Sequence, residues 1–211
     1  MTNFIPIFPL NIVVFPGEKL NMHIFEARYK QLINDCVEQK KPFGIVSAID
    51  GKLRDFGTLI NVEEISKRYD DGKLDIKTKA TKVFVVLEII KELPDKFYGG
   101  AIVNYPNNLE LINVKLMSKI LKDVRHLHKL LNVTKDFKKS DETLCSYDIA
   151  HHVGLSVNEE YEMLELLHEN QRLEYIRRHI TKTIEVVTGV ENLKDKIKLN
   201  GHFRELEGFN F

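Results

Sequence analysis

Two adjacent serine–lysine pairs, Ser66-Lys67 and Ser118-Lys119, carry the residue types of a serine nucleophile with a lysine base. That chemistry needs the amine within hydrogen-bond reach of the hydroxyl. Neighbours on a strand or a helix point apart, so neither pair can share a proton, and no strained elbow motif presents either serine. Among the eight histidines, His126 and His128 stand two apart in a helical pattern, where only a spacing of three or four brings side chains together. His151 and His152 are adjacent and meet the same objection. No cysteine or H-E-x-x-H partner completes a ligand set, so no metal or cofactor is expected. The chain also lacks the G-x-x-x-x-G-K-[ST] loop whose backbone amides cradle phosphates, which argues against nucleotide hydrolysis. Glu26 and Arg28 remain, in the segment IFEARY. A carboxylate in a first helical turn meets the helix dipole favourably, which is enough to explain Glu26. Arg28 is open to an ion pair or to contact with a partner.

The elements that would hold such residues fall into two halves. Up to about Tyr105 the pattern is strand-like, and after Asn108 it is helical to about Val187. Ile5 to Phe8 and Asn11 to Phe15 are β-branched and aromatic runs, divided by Pro9 and closed by Pro16-Gly17, and they read as edge or barrel strands. From Met22 onward Phe25, Tyr29, Leu32, Ile33 and Cys36 recur at helical spacing, predicting a core-facing helix. Phe43 to Ile49 and Thr58 to Lys67 read as strands, the second joined to Lys73–Lys79 through the turn Asp70-Asp71-Gly72. Val83 to Ile90 and Gly100 to Tyr105 read as two more.

In the second half, Leu116, Ile120, Val124, Leu127 and Leu131 mark one amphipathic helix. Ser146 to Val153 reads as a short helix closed by Gly154. Ser156 and Glu159 have capping-box spacing and should open another. Asn170 is a candidate cap for a last helix, along which Leu173, Ile176, Ile180, Ile184 and Val187 follow one face until Gly189 ends it. The expected class is α+β, with a β-rich subdomain containing one early helix (residues 1–107), a helical bundle (108–190) and a tail (191–211).

Composition narrows the partners. The 211 residues are 43% hydrophobic, with 31 basic and 31 acidic side chains and a formal net charge of zero, so no global field favours nucleic acid or an anionic membrane. The amino terminus lacks the pattern of a secretory signal, and no uncharged apolar run approaches the roughly 18 residues that span a bilayer. A soluble, cytoplasmic protein is the expectation, with Cys36 and Cys145 as buried, inert thiols.

The stretch PIFPLNIVVFPGEKLNMHIFEARYKQLINDC, followed by FGIV and GTLINVEEI, resembles the opening of the amino-terminal, substrate-binding domain of Lon proteases. DGKLDI and FYGGAIVNY fall where that family has a hairpin and a further strand. SYDIAHHVGLSVNEEYEMLELLHENQRLEYIRRHI resembles its small bundle, with Arg172-Leu173 at the start of the last helix. The resemblance covers Ile5 to about Val187. It departs at Ala80-Thr81-Lys82-Val83-Phe84, where the family usually has a glycine and then an arginine ahead of the phenylalanine.

The resemblance implies a PUA-like β-barrel packed on helices, a stand-alone module that binds unfolded or tagged protein and feeds an ATP-dependent protease. The ATPase and the peptidase, with its P-S-A-G-like nucleophile context, are not found in this sequence. The implied function is non-catalytic peptide binding, as an adaptor presenting clients to a protease. The alternative is RNA binding by the same barrel, although no basic stripe with interleaved aromatics supports it. Tyr69, Phe97 and Tyr98 stand beside turns, at Asp70-Asp71-Gly72 and Gly99-Gly100, from which side chains can project, and with Arg28 they are the candidate peptide contacts. Core packing is the competing reading, most of all for Phe97. Phe203, Leu206, Phe209 and Phe211 make the tail a candidate interaction segment, docking on its own bundle or on a second copy, and Gly201 and Gly208 argue against a long helix there.

Overall fold

The computed structural model describes residues 3–206 except Glu110, Ile112 and Lys138, with side chains described as far as Leu199. Six strands come first: β1 (Asn3–Leu10), β2 (Lys19–Ile24), β3 (Phe43–Ile49), β4 (Lys52–Arg68), β5 (Leu74–Ile90) and β6 (Gly100–Asn104). Helix α1 (Ala27–Gln39) lies between β2 and β3, and α2 (Val114–Leu130), α3 (Ser146–Ile149), α4 (Val157–Glu165) and α5 (Glu169–Leu206) follow. The class is α+β.

The strand order is β2-β5-β4-β3-β1-β6, and a further β5–β6 pairing closes all but β2 into a barrel. β1 runs parallel to β3, and the other pairings are antiparallel. Ile5, Ile7, Val46, Phe84, Ala101 and Val103 fill the interior. Phe84 fits because glycines face it: a Cβ on Gly44 would come within 2.7 Å of its ring, and one on Gly57 within 2.5 Å. α1 buries Tyr29, Leu32, Ile33 and Cys36 against barrel residues including Phe8, Phe43 and Ile76. It ends at Lys40, in the left-handed region, where the Lys41 amide donates to the Cys36 carbonyl.

Several expectations are corrected. Asn11 to Phe15 is an irregular loop, not a strand. Its apolar side chains go to two different cores, Val13 and Phe15 among the helices and Val14 against α1, while Ser47 and Thr58 hydroxyls satisfy the Ile12 and Val14 carbonyls. Phe25 precedes α1 and is 59% exposed, because Met22 belongs to β2, whose alternate residues Leu20, Met22 and Ile24 face the core. The runs Lys73–Lys79 and Val83–Ile90 are halves of the single bent β5, which pairs first with β2 and then with β6.

Among the helices, Gly154 at φ +81° follows the Ser146–His152 turn, and Ser156 with Glu159 forms the expected capping box. Asn170 does not cap α5, which opens at Glu169. Gly189 does not end it either, and the backbone stays helical through Gly201 to Leu206. Met117, Ile120, Val124, Leu173, Ile176 and Ile180 are buried in the helical core, Leu116 is half-buried and Leu131 is exposed. The side chains of Phe203, Leu206, Phe209 and Phe211 lie outside the described residues.

The helical core takes in Val13, Phe15, Ile49 and Val83 from the strand half. Full burial of such side chains contributes about 1.5–3 kcal/mol each. Where the two halves meet, Phe15 stacks on Tyr147 at 5.1 Å and the Tyr161 hydroxyl accepts from the Phe56 amide at 3.0 Å.

Candidate functional site

α1 organises two surface clusters. On one side Lys30 donates to the Asp71 carbonyl and Arg68 to the Asn34 side chain, tying the β4–β5 turn to the helix. That turn closes with the Tyr69 amide donating to the Lys73 carbonyl, and with Gly72 at φ +78°. Tyr69 is half-buried, and its hydroxyl donates to one Asp75 oxygen at 2.7 Å while His23 Nδ1 lies 2.6 Å from the other. The two hydrogen bonds, His23's the larger, hold the Asp75 carboxyl below its usual range. The Lys67 ammonium lies 4.3 Å from the Tyr69 ring centre, the His23 ring meets that ring edge-on at 5.7 Å, and Phe25 stacks beyond His23 at 6.2 Å. Asp75 thus orients the His23 and Tyr69 rings, with Phe25 exposed beyond them.

On the other side of α1, Gln31 clamps the β5–β6 connection. Its amide donates to the Asp95 carbonyl at 3.1 Å, and its oxygen accepts from the Phe97 amide at 2.7 Å. The backbone is braced while the Phe97 ring, 75% exposed, is left in solvent. Core packing of Phe97 is therefore corrected, and so is the projection of Tyr98. Tyr98 is 7% exposed and donates to Asp35 Oδ2 at 2.6 Å, beside the Lys96–Asp35 ion pair at 2.7 Å. Burial works against the Asp35 charge, but Lys96 and Tyr98 outweigh it and hold the carboxyl below its usual range. Consecutive residues of a strand-like segment face opposite ways, and the sequence did not reveal which of the two turned inward.

Arg28 is turned to its own neighbours. Its Nη2 and Nε lie 2.8 and 2.9 Å from Glu26 Oε2, and its guanidinium covers the Tyr29 ring at 4.5 Å. Glu26 is the residue before the first turn of α1 and makes no side-chain capping bond. Burial raises both thiols to about 12, Cys36 in the core and Cys145 half-buried before α3, so both stay protonated and unreactive near neutral pH.

A cleft of about 820 Å³ separates the barrel from the bundle, with residues 16–21 on one wall and Phe137, Leu144, Tyr147 and Val157 among those on the other. His151 crosses it, with Nε2 2.7 Å from Glu18 Oε1 and Nδ1 2.6 Å from Glu160 Oε1. Both nitrogens face carboxylates, so both must carry protons. Burial opposes that charge, yet the hydrogen bonds to Glu160 and Glu18 prevail and raise the imidazole's pKa to about 10. The sequence pattern did not foresee this tie, since Glu18 and His151 are far apart along the chain. A second groove, about 660 Å³ between α4 and α5, is lined by groups already paired with each other, such as Arg178 with Glu174.

The profile of the ATP-dependent protease La (LON) substrate-binding domain matches residues 5–182. Lon protease 1 of Hydrogenovibrio crunogenus is 23% identical over 214 residues, which cover 93% of this chain and 26% of that protein, so the chain spans about a quarter of this curated relative. Among solved structures, a Lon N-terminal domain protein from Xanthomonas campestris is 23% identical with a TM-score of 0.62, over 83% of this chain and 98% of that one. The N-terminal domain of the Mycobacterium avium complex Lon protease is 11% identical with a TM-score of 0.62, over 85% and 98%. With the profile covering most of its length, from the first barrel strand into the last helix, the chain belongs to the Lon substrate-binding domain family.

Proposed function

We propose that the chain is a non-catalytic module that binds unfolded or tagged protein segments and presents them to an ATP-dependent protease. The observation that carries this reading is the pair of exposed aromatics flanking α1, Phe25 at 59% and Phe97 at 75% exposure, each beside a backbone braced by hydrogen bonds. Rigid rings left in water gain large buried area at little entropic cost when a partner covers them. Tyr69 belongs to the same surface through its contact with His23. Tyr98 contributes indirectly, by anchoring the segment that carries Phe97. Arg28 supports the helix start on which Phe25 sits.

RNA binding fits less well. The barrel–bundle cleft carries Glu18, Asp136, Asp148 and Glu160 against Lys19, Lys135, Lys139 and the His151 cation, a balance that does not attract phosphates.

Fluorescence anisotropy with labelled, reduced and carboxymethylated lactalbumin tests the reading, with the folded, disulfide-bonded form as control. Capture of the unfolded form alone is expected. Phe25→Ala combined with Phe97→Ala should weaken it about tenfold, equivalent to about 1.4 kcal/mol, with the thermal midpoint unchanged. Equal binding of both forms, or of neither, would refute it.

A further inference from the structure

Among the described residues β2 is the one strand left outside the closed barrel, paired on one side only, with β5. It begins at a bulge in which Gly17, at φ +90°, and Glu18 together oppose Ala80. The Gly17 amide donates to the Ala80 carbonyl, and the Ala80 amide donates to the Glu18 carbonyl. Glycine takes this position because its φ is one that side chains disfavour. The bulge also sets the phase of everything after it. In an antiparallel ladder, bonded and non-bonded residue pairs alternate. With Glu18 bonded to Ala80, the register Lys19↔Lys79, Leu20↔Thr78, Asn21↔Lys77, Met22↔Ile76, His23↔Asp75 turns Leu20 and Met22 toward β5. The amide and carbonyl of Lys19, Asn21 and His23 then point away from the sheet. Outside the β2–β5 ladder, no hydrogen bond to these six groups is found among the described residues.

The ends of this open edge are not alike. Residues 17–21 line the 820 Å³ cleft, whose opposite wall offers the half-buried Phe137 and Val157. At the other end His23 stacks with Phe25 and meets Tyr69 edge-on. A cleft with apolar side chains on its far wall and an aromatic cluster are thus joined by a row of outward backbone donors and acceptors, on a strand six residues long and about 20 Å at strand rise.

We propose that β2 is the docking rail of the module, on which an extended client segment adds as a further strand between the cleft and the Phe25–Tyr69 cluster. Main-chain hydrogen bonds to Lys19, Asn21 and His23 supply sequence-independent affinity, and the apolar ends favour clients with hydrophobic residues at alternate positions. The occupant is an extended chain because outward groups on every second residue can be met only by a strand-like backbone. A second copy fits less well, because the bundle walls the far side of the cleft, where a single extended segment asks for less space than the flank of another barrel. The proposal rests on the peptide-binding reading and names how that binding is made.

Asn21→Pro is the discriminating variant. It deletes one outward amide and leaves the β2–β5 ladder whole, and proline is tolerated on an edge strand when its nitrogen faces solvent. With carboxymethylated lactalbumin as probe, Asn21→Pro should weaken capture at least tenfold, and Asn21→Ala, which keeps the amide, less than twofold. Hydrogen exchange on the wild-type chain supplies a second readout that does not depend on the variant folding. The Lys19, Asn21 and His23 amides should exchange quickly in the free protein and be protected in the complex. Capture unaffected by Asn21→Pro, or amides that stay unprotected, overturns the rail even where Phe25→Ala with Phe97→Ala still weakens binding and the functional reading survives. A wild-type chain that captures no unfolded protein overturns both. A concentration-dependent dimer that Asn21→Pro dissolves would assign the edge to a second copy and overturn the proposal.

Discussion

Arg172 has no solvent exposure, and its guanidinium is spent on five partners. It pairs with Glu169 at 2.9 Å and donates to Ser146 Oγ, Asn108 Oδ1 and the Leu166 and Leu109 carbonyls, while lying 4.2 Å from the Tyr147 ring centre. Glu169 in turn accepts from the Ser146 amide and hydroxyl, each at 2.7 Å. One side chain therefore joins the start of α5, the start of α3 and the chain leaving the barrel. Arg172→Ala strands the Glu169 carboxylate in the core, and chemical denaturation should show a loss of about 3–5 kcal/mol. Arg172→Lys should recover little of it, since a single ammonium cannot reproduce the planar fork. The sequence marked Arg172 only as the first of a pair opening a helix. Its role was not legible, because its partners Ser146 and Asn108 are separated from it by 26 and 64 residues. The same limit hid Asp35 and Asp75, whose partners come from other elements.

Elements were readable where one local rule decided them. The Ser156–Glu159 box, Gly154 after its short helix and the turn at Gly72 each follow from two or three neighbouring residues. β2 carried a legible alternation in Leu20, Met22 and Ile24, but the helical spacing that starts at Phe25 overran it. The loop at residues 11–15 has strand composition because Val13, Val14 and Phe15 are buried, and burial alone does not make a strand. α5 was read as ending at Gly189, yet a glycine inside a long helix costs only about 1 kcal/mol, which flanking turns can absorb. A Cβ at Gly189 would meet nothing within 4 Å. Gly189→Ala should therefore raise helical content and stabilise α5 by about 0.5–1 kcal/mol, read from circular dichroism and the thermal midpoint. Beyond Ile184 the helix shows exposed Val186, Val190, Leu193 and Ile197.

At the scale of the whole molecule, division at residue 107 follows secondary structure, whereas the helical core crosses it through Val13, Phe15, Ile49 and Val83. The His151 tie adds an electrostatic link across the same line, with a calculable pH dependence. The folded imidazole is raised to about 10 from an ordinary value of 6.5. Its contribution is then complete below about pH 6.5, declines through the interval and is gone once pH passes 10. The difference in thermal midpoint between wild type and His151→Gln should shrink accordingly from pH 6 to pH 10.5, and a constant difference would show that His151 stays neutral. The general arrangement of strands and then helices was legible from the change of period near Asn108, but the sharing of a core was not, because periodicity reports which face is buried and not against what.

The placement of Val13 and Phe15 among the helices also bears on how the chain is made. A ribosome delivers about 5–20 residues per second, so roughly 4–16 s separate the last barrel strand, β6, from the stretch of α5 that ends at Ile184. Until that interval ends a barrel with all its strands present holds Val13, Phe15, Ile49 and Val83 out for a helical core that is still incomplete. The nascent protein passes through a sticky half-built state, and it is then that a holding chaperone would have most to cover.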